Sequence, residues 1–163
     1  MSDLVKVSEP VQIEALVAGS DEPLLHVVFR LADTEFALPA SVVVQMEDYA
    51  GASAVPGAPA FVAGVVQLRG KVVPVIDLRL RFGLEQAALP GRRVVVGEIG
   101  DRRVALLVDS AREVASLRPS KLKTPPKLLE AEGRGFVRSV TQIEGRLVLV
   151  LDFAKVIGEE AGE

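Results

Sequence analysis

The sequence predicts an all-β protein, folded as two small barrels side by side around a common core, and three observations predict it. From Leu24 onward, short apolar runs alternate with Gly, Asp and Pro at the intervals of successive strands. Several runs are joined by two- or three-residue turns, the length of a hairpin connection. The chain also repeats itself: Gly70 to Leu78, ending at Gly83, matches Gly145 to Phe153, ending at Gly158, with every Gly and Asp of the match displaced by 75 residues. A weaker repeat, displaced by 68, aligns Val27-Val28 and Asp33 to Leu38 with Val95-Val96 and Asp101 to Leu106.

Residues 1–23 lack strand alternation and end in the turn-rich Gly19-Ser20-Asp21-Glu22-Pro23, so they read as a flexible arm, with Val11 to Val17 a short helix or an added strand. Strands follow at Leu24 to Leu31, Glu35 to Pro39, Phe61 to Leu68 and Lys71 to Ile76. The second set is Arg92 to Ile99, Arg102 to Val108, Phe136 to Ile143 and Arg146 to Leu151. Ala32-Asp33-Thr34, Arg69-Gly70, Gly100-Asp101 and Glu144-Gly145 are the turns, and Gly70 and Gly145 supply a positive φ without a Cβ penalty. Asp77 and Gly83, like Asp152 and Gly158, frame one short helical turn with an N-cap and a C-terminal glycine. Residues 24–158 form the folded unit, with halves 24–90 and 91–158, each with enough strands to close one barrel, and 159–163 is a tail. A half of about seventy residues has a thin core alone, so the inner surfaces are expected to be buried together.

The 163 residues leave no room for a catalytic kinase domain beside this unit, and 49% hydrophobic residues argue against a disordered chain. With no cysteine, disulfides and thiolate chemistry are excluded. Met1-Ser2-Asp3-Leu4 does not open a secretory signal, and apolar stretches such as Ala60 to Val66 fall well short of the roughly 20 residues of a membrane span, so direct membrane insertion is not expected and a cytoplasmic protein is. A net charge of −3, no Trp and one Tyr do not fit the cationic groove and stacking platforms by which small barrels bind nucleic acid.

Candidate chemistry is sparse. Asp77, Asp109 and Asp152 each end an apolar run; a hydrolase using Asp77 and Asp152 would need both carboxylates on one pocket, whereas capping explains them one at a time. The single histidine, His26, sits inside an apolar strand and reads as structural, and no glycine-rich phosphate loop opens a helix. No catalytic residue, metal or cofactor is expected. Arg118, Lys121, Lys123 and Lys127 form a basic cluster stiffened by Pro125-Pro126. Arg69, at a hairpin tip, is either an exposed turn arginine or a guanidinium fixed for a partner.

Pro59-Ala60-Phe61-Val62-Ala63-Gly64-Val65-Val66-Gln67-Leu68-Arg69-Gly70-Lys71-Val72-Val73-Pro74-Val75-Ile76-Asp77-Leu78-Arg79 resembles the signature of CheW domains: an apolar strand, Gly-x-x-Asn-Leu-Arg-Gly, then an apolar strand with Pro and Asp-Leu-Arg. The resemblance runs from about Leu24 to Ile157. It implies two five-stranded barrels of the SH3-like type on a shared hydrophobic core, and a non-catalytic adaptor that couples chemoreceptors to a CheA-type histidine kinase. The expected partners are the cytoplasmic tip of chemoreceptors and the kinase regulatory domain, in a signalling array at the inner membrane; a specialised chemosensory pathway for surface motility or development is the alternative. By the resemblance, Val43, Gln45, Gly64 and Arg69 face the receptor, and Lys123 and Leu128 the kinase. Gln45 stands where many members have Glu, Gln67 where the signature has Asn, and Leu128 where an aromatic is common.

Overall fold

The computed structural model describes residues 20–126 and 135–158, and among them ten strands form two five-stranded sheets. In chain order the elements are β1 (Leu24–Leu31), β2 (Thr34–Pro39), β3 (Val43–Asp48), β4 (Val62–Leu68), β5 (Lys71–Asp77), α1 (Leu78–Arg81), β6 (Arg93–Ile99), β7 (Arg102–Val108), β8 (Ser110–Leu117), β9 (Val137–Ile143), β10 (Arg146–Leu151) and α2 (Phe153–Ile157). Single 3-10 turns at Ala40–Val42 and Pro119–Lys121 interrupt the connections.

The expected strands appear within a residue of their predicted ends. β3 and β8 were not foreseen, and composition explains why. Gln45, Glu47 and Asp48 in β3, and Arg112 and Glu113 in β8, break the apolar pattern. Both strands are ladder-paired on one side only, β3 to β6 and β8 to β1, and charged residues are what keep such edges from pairing with other chains. The hairpin turns Arg69-Gly70 and Glu144-Gly145 have positive φ at both residues, 51° and 80° in one and 50° and 81° in the other. That is the mirror-image turn whose twist matches paired strands.

The first sheet has the order β8-β1-β2-β10-β9 and the second β3-β6-β7-β5-β4. Each half of the sequence therefore supplies a full set of five strands, yet neither half keeps its own set: the hairpin β1–β2 joins β8, β9 and β10, and β6–β7 joins β3, β4 and β5. This corrects the expectation that 24–90 and 91–158 close one barrel each. The junctions are the two parallel pairings, Val148–Val150 beside Glu35–Ala37 and Val75–Asp77 beside Ala105–Leu107. The exchange makes the halves interdependent, joining them by backbone ladders as well as by side-chain burial. Neither barrel closes by a full ladder. In the first sheet a single bridge, Lys123 to Val140, ties the chain beyond β8 to β9, and in the second Ser53 to Val65 ties the chain beyond β3 to β4.

Among the described residues three apolar clusters result. Val28, Ala37, Val148 and Val150 fill the first sheet, and Val73, Val75, Val94, Val96, Ala105 and Leu107 fill the second. Between the sheets lies the largest cluster, which draws Phe29, Phe36 and Leu151 from one side and Ile76, Val95 and Leu106 from the other. The internal repeat is visible in these lists, since Val28 and Val96, Ala37 and Ala105, Val73 and Val148, and Val75 and Val150 are equivalent pairs. The predicted shared core is thus present. Arg81 lies at its rim, its guanidinium 4.3 Å from the Phe61 ring centre and 5.1 Å from that of Phe136, residues that are themselves repeat-equivalent. Its Nε donates to the Val156 carbonyl at 2.7 Å, joining α1 of one half to α2 of the other.

Candidate functional site

The residues expected to face a receptor all belong to the second sheet. Gly64 sits where the β4–β5 register slips, with φ +144°, and its α-carbon lies against the Ala52-Ser53 segment. A Cβ there would stand 2.2 Å from the Ser53 carbonyl oxygen. Only glycine lets that segment lie close enough for Ser53 and Val65 to exchange two hydrogen bonds, both 2.9 Å. Ser53 was not foreseen as part of the site; no sequence pattern marks it, because an isolated bridge has no period. Arg69 is exposed at the tip beyond Gly64, with its backbone in the left-handed region. Glu144 has the same conformation at the equivalent tip of the first sheet, so this backbone state belongs to the hairpin type and not to Arg69 alone.

Val43 opens β3 and is partly buried against the shared core. The Gln45 amide donates to Glu47 at 2.8 Å, which fixes its side chain along the strand. Lys123 is elsewhere: its main chain makes the bridge to Val140, with bonds of 2.8 and 2.9 Å, and its side chain is exposed on the first sheet. Leu128 lies outside the described residues. Lys123 thus falls on a different sheet from Val43, Gln45, Gly64 and Arg69, with the shared core between the two sheets.

The aspartates that end the apolar runs are engaged in structure. Asp77 and Asp152 cap α1 and α2, accepting from the Arg79 and Lys155 amides at 3.0 and 3.2 Å. Asp77, almost fully buried, also pairs with Arg92 at 3.2 Å. Asp109 receives two bonds from the Arg79 guanidinium, at 2.9 and 2.6 Å, and one from the Ala32 amide at 2.7 Å. Burial pushes the Asp109 carboxyl up, but these bonds together with the charges of Arg79 and Arg92 outweigh it and hold the group below its ordinary value. Donating to Asp109 in turn holds the Arg79 guanidinium above its own ordinary value. This pair was missed because nothing local links residues 79 and 109; it ties α1 to the β7–β8 corner and to the β1–β2 turn. Outside the second sheet, Arg146 joins Glu35 at 3.2 Å and Glu113 at 3.2 Å, and Arg30 joins Glu35 at 3.0 Å. Where the chain enters the first sheet, Asp21 accepts from the Ser120 amide and hydroxyl at 2.8 and 2.7 Å. Among the described residues no cluster of three His, Asp or Glu side chains is arranged to hold a metal.

Two interlocked SH3-like sheets, with Asp77, Asp109 and Asp152 held in caps and ion pairs and with exposed hairpin tips, define a small β module of the SH3-like type. The chain belongs to the CheW-like domain family, whose model matches residues 25–161. A chemotaxis protein CheW of Rhizobium meliloti (strain 1021) is 32% identical over 138 residues, 84% of this chain and 89% of the relative. The chemotaxis protein CheW of Bacillus subtilis (strain 168) is 28% identical over 138 residues, 84% and 88% of the two chains. The solved structure of the scaffolding protein TtCheW from Thermoanaerobacter tengcongensis superposes with a TM-score of 0.77 at 26% identity, covering 85% of this chain and 95% of that one. No helix among the described residues is long and apolar enough to cross a membrane.

Proposed function

We propose that this protein is a non-catalytic coupling adaptor of chemotaxis signalling, binding the cytoplasmic tip of chemoreceptors through the second sheet and the regulatory domain of a CheA-type histidine kinase through the first. Val43, Gln45, Gly64 and Arg69 form the receptor face, and Lys123 with Leu128 the kinase face. It works in the cytoplasm, recruited to receptor arrays at the inner membrane. Membership of the CheW-like family supports the kind of partner. The observation that supports the reading is that Val43, Gln45, Gly64 and Arg69 belong to the second sheet while Lys123 is bridged to the first, within one interlocked body. Such a body can hold two partners at once, raising the effective concentration of each near the other.

Within the receptor face the residues have different work. Arg69 is an exposed cation at a fixed tip, suited to a partner carboxylate. Gly64 is shielded from contact and acts by admitting the Ser53 segment. Arg69→Asn separates structure from binding, because Asn accepts the left-handed turn position better than Arg. In calorimetric titrations against a receptor cytoplasmic fragment and a kinase regulatory domain, Arg69→Asn is expected to lower receptor affinity at least tenfold. Kinase affinity and melting temperature should stay the same or rise slightly. Lys123→Ala is expected to show the opposite selectivity. Wild-type protein that binds neither partner across cognate pairs would overturn the adaptor reading while leaving the fold untouched.

A further inference from the structure

The second sheet has an open seam whose counterpart in the first sheet is filled. Beyond the Ser53–Val65 bridge, β4 and the chain leaving β3 diverge and enclose a cleft of about 690 Å³, walled by Asp48–Ser53 on one side and Val65–Leu68 on the other, with Val94 and Val72 at its base and lip. Val65 and Gln67 alternate with the residues bonded to β5, so the main chain of Gln67 points toward this seam. The edge makes no backbone bond across the seam other than the Ser53–Val65 exchange, among the described residues. Val72, paired across the hairpin with Gln67, is 67% exposed, the most exposed large apolar side chain described.

The first sheet shows what belongs in such a place. Val65 and Val140 are equivalent by the 75-residue repeat, and their bridge partners Ser53 and Lys123 make Ser53 the counterpart of Lys123 and Ala52 that of Leu122. Leu122 turns into the first sheet and packs on the cluster of Val28, Ala37, Val148 and Val150. It is delivered by the Pro119–Lys121 turn and the extended chain to Lys123. At the equivalent point the second sheet has only the methyl group of Ala52. The molecule thus contains one seam with its leucine plug and one without.

We propose that the open seam of the second sheet is a docking groove for an extended segment of a partner protein, which pairs with the Gln67 edge of β4 and places one leucine-sized aliphatic side chain over Val94. Main-chain pairing gives the strand its direction, and the apolar base selects the side chain. The occupant's chemistry is that of residues 118–124, whose lysines also suit Asp48 at the wall, a carboxylate 93% exposed that meets Arg93 only at 3.7 Å. The groove does not depend on which signalling protein supplies the segment.

A fluorescein-labelled peptide with the sequence of residues 118–124, Arg-Pro-Ser-Lys-Leu-Lys-Thr, is the probe, titrated into the whole protein by anisotropy and by amide NMR. Saturable binding with shifts confined to Gln67, Val94 and their strand neighbours is expected, weakened at least fivefold when the peptide leucine is replaced by serine. Ala52→Leu, which builds the missing plug, should retain the fold and reduce binding at least tenfold. Equal binding by Ala52→Leu, shifts centred on the first sheet, or no saturation would overturn the proposal. So would the same shifts appearing in unmixed protein as its concentration rises, since the occupant would then be a second copy.

Discussion

Replacing Gly64 by alanine tests whether the proposed receptor face depends on a backbone approach. The new Cβ would meet the Ser53 carbonyl oxygen at 2.2 Å and its carbonyl carbon at 2.7 Å, and both are main-chain atoms that cannot rotate away. The Ala52-Ser53 segment must withdraw by more than an ångström, which breaks the paired 2.9 Å bonds between Ser53 and Val65. Two such bonds contribute about 2 kcal/mol. Alanine at φ +144° adds strain of about 1–3 kcal/mol, so the total is about 3–5 kcal/mol. For a domain of this size that lowers the melting temperature by roughly 10 °C. Gly70→Ala is the control, with φ +80° but nothing within 4 Å of its Cβ, so it carries the strain alone at about 1–2 kcal/mol. Urea denaturation of both variants, with amide hydrogen exchange at Ser53 and Val65, reads the difference. Equal losses in the two variants, with Ser53 and Val65 still protected in Gly64→Ala, would refute the close-approach argument.

The Asp109–Arg79 pair makes stability depend on pH in a definite direction. The folded state holds the Asp109 carboxyl below its unfolded value, so its contribution is present at neutral pH and is lost as pH falls below about 4 through the folded value. Asp109→Asn should cost about 1–3 kcal/mol at pH 7 and flatten the acid limb of a plot of urea midpoint against pH. A limb of unchanged slope would assign the acid sensitivity to other carboxylates. Gly97 faces the Phe153 ring, with a built Cβ 2.5 Å from it, whereas the repeat-equivalent positions hold Phe29 and Leu78. Gly97→Ala should therefore cost about 1–3 kcal/mol by overpacking, and Phe153→Leu in the same chain should recover about 1 kcal/mol of it in a double-mutant cycle. Strict additivity would show that the two sites do not share the space.

Hairpins and caps were legible because their signals are local: Gly70 and Gly145 mark turns, and Asp77 and Asp152 mark helix starts within a few residues of what they bond. The 75-residue repeat also announced a duplicated fold. What it did not reveal is the exchange of hairpins, since β2 beside β10 and β2 beside β5 satisfy the same alternation of buried and exposed positions. Register within a strand is written in side-chain period, but the choice between two equivalent partners is not. The edge strands β3 and β8 were hidden by the charges that protect them. At the site, Arg69 stood out by its turn, whereas Ser53, the Arg79–Asp109 pair and the Arg81 stack depend on contacts between residues 11 to 77 positions apart along the chain.

The exchanged topology bears directly on coupling. Had each half closed on itself, the second sheet, carrying Arg69, and the first, carrying Lys123, would meet only through side chains, and a load on one could be absorbed by sliding at that interface. Here the two sheets are also joined through backbone ladders, because β1–β2 is covalently part of the half that supplies β3 to β5 but hydrogen-bonded to β10 and β8. The shared cluster from Phe29 to Ile157 then has no surface along which one sheet can move without disturbing a close-packed interior. Asp109 reinforces this at a corner, holding the β1–β2 turn through the Ala32 amide and α1 through Arg79. A body of this build resists displacement of one sheet against the other. The parts free to respond are the hairpin tips and the open seam beside Gly64, which are also the parts that the sequence leaves exposed.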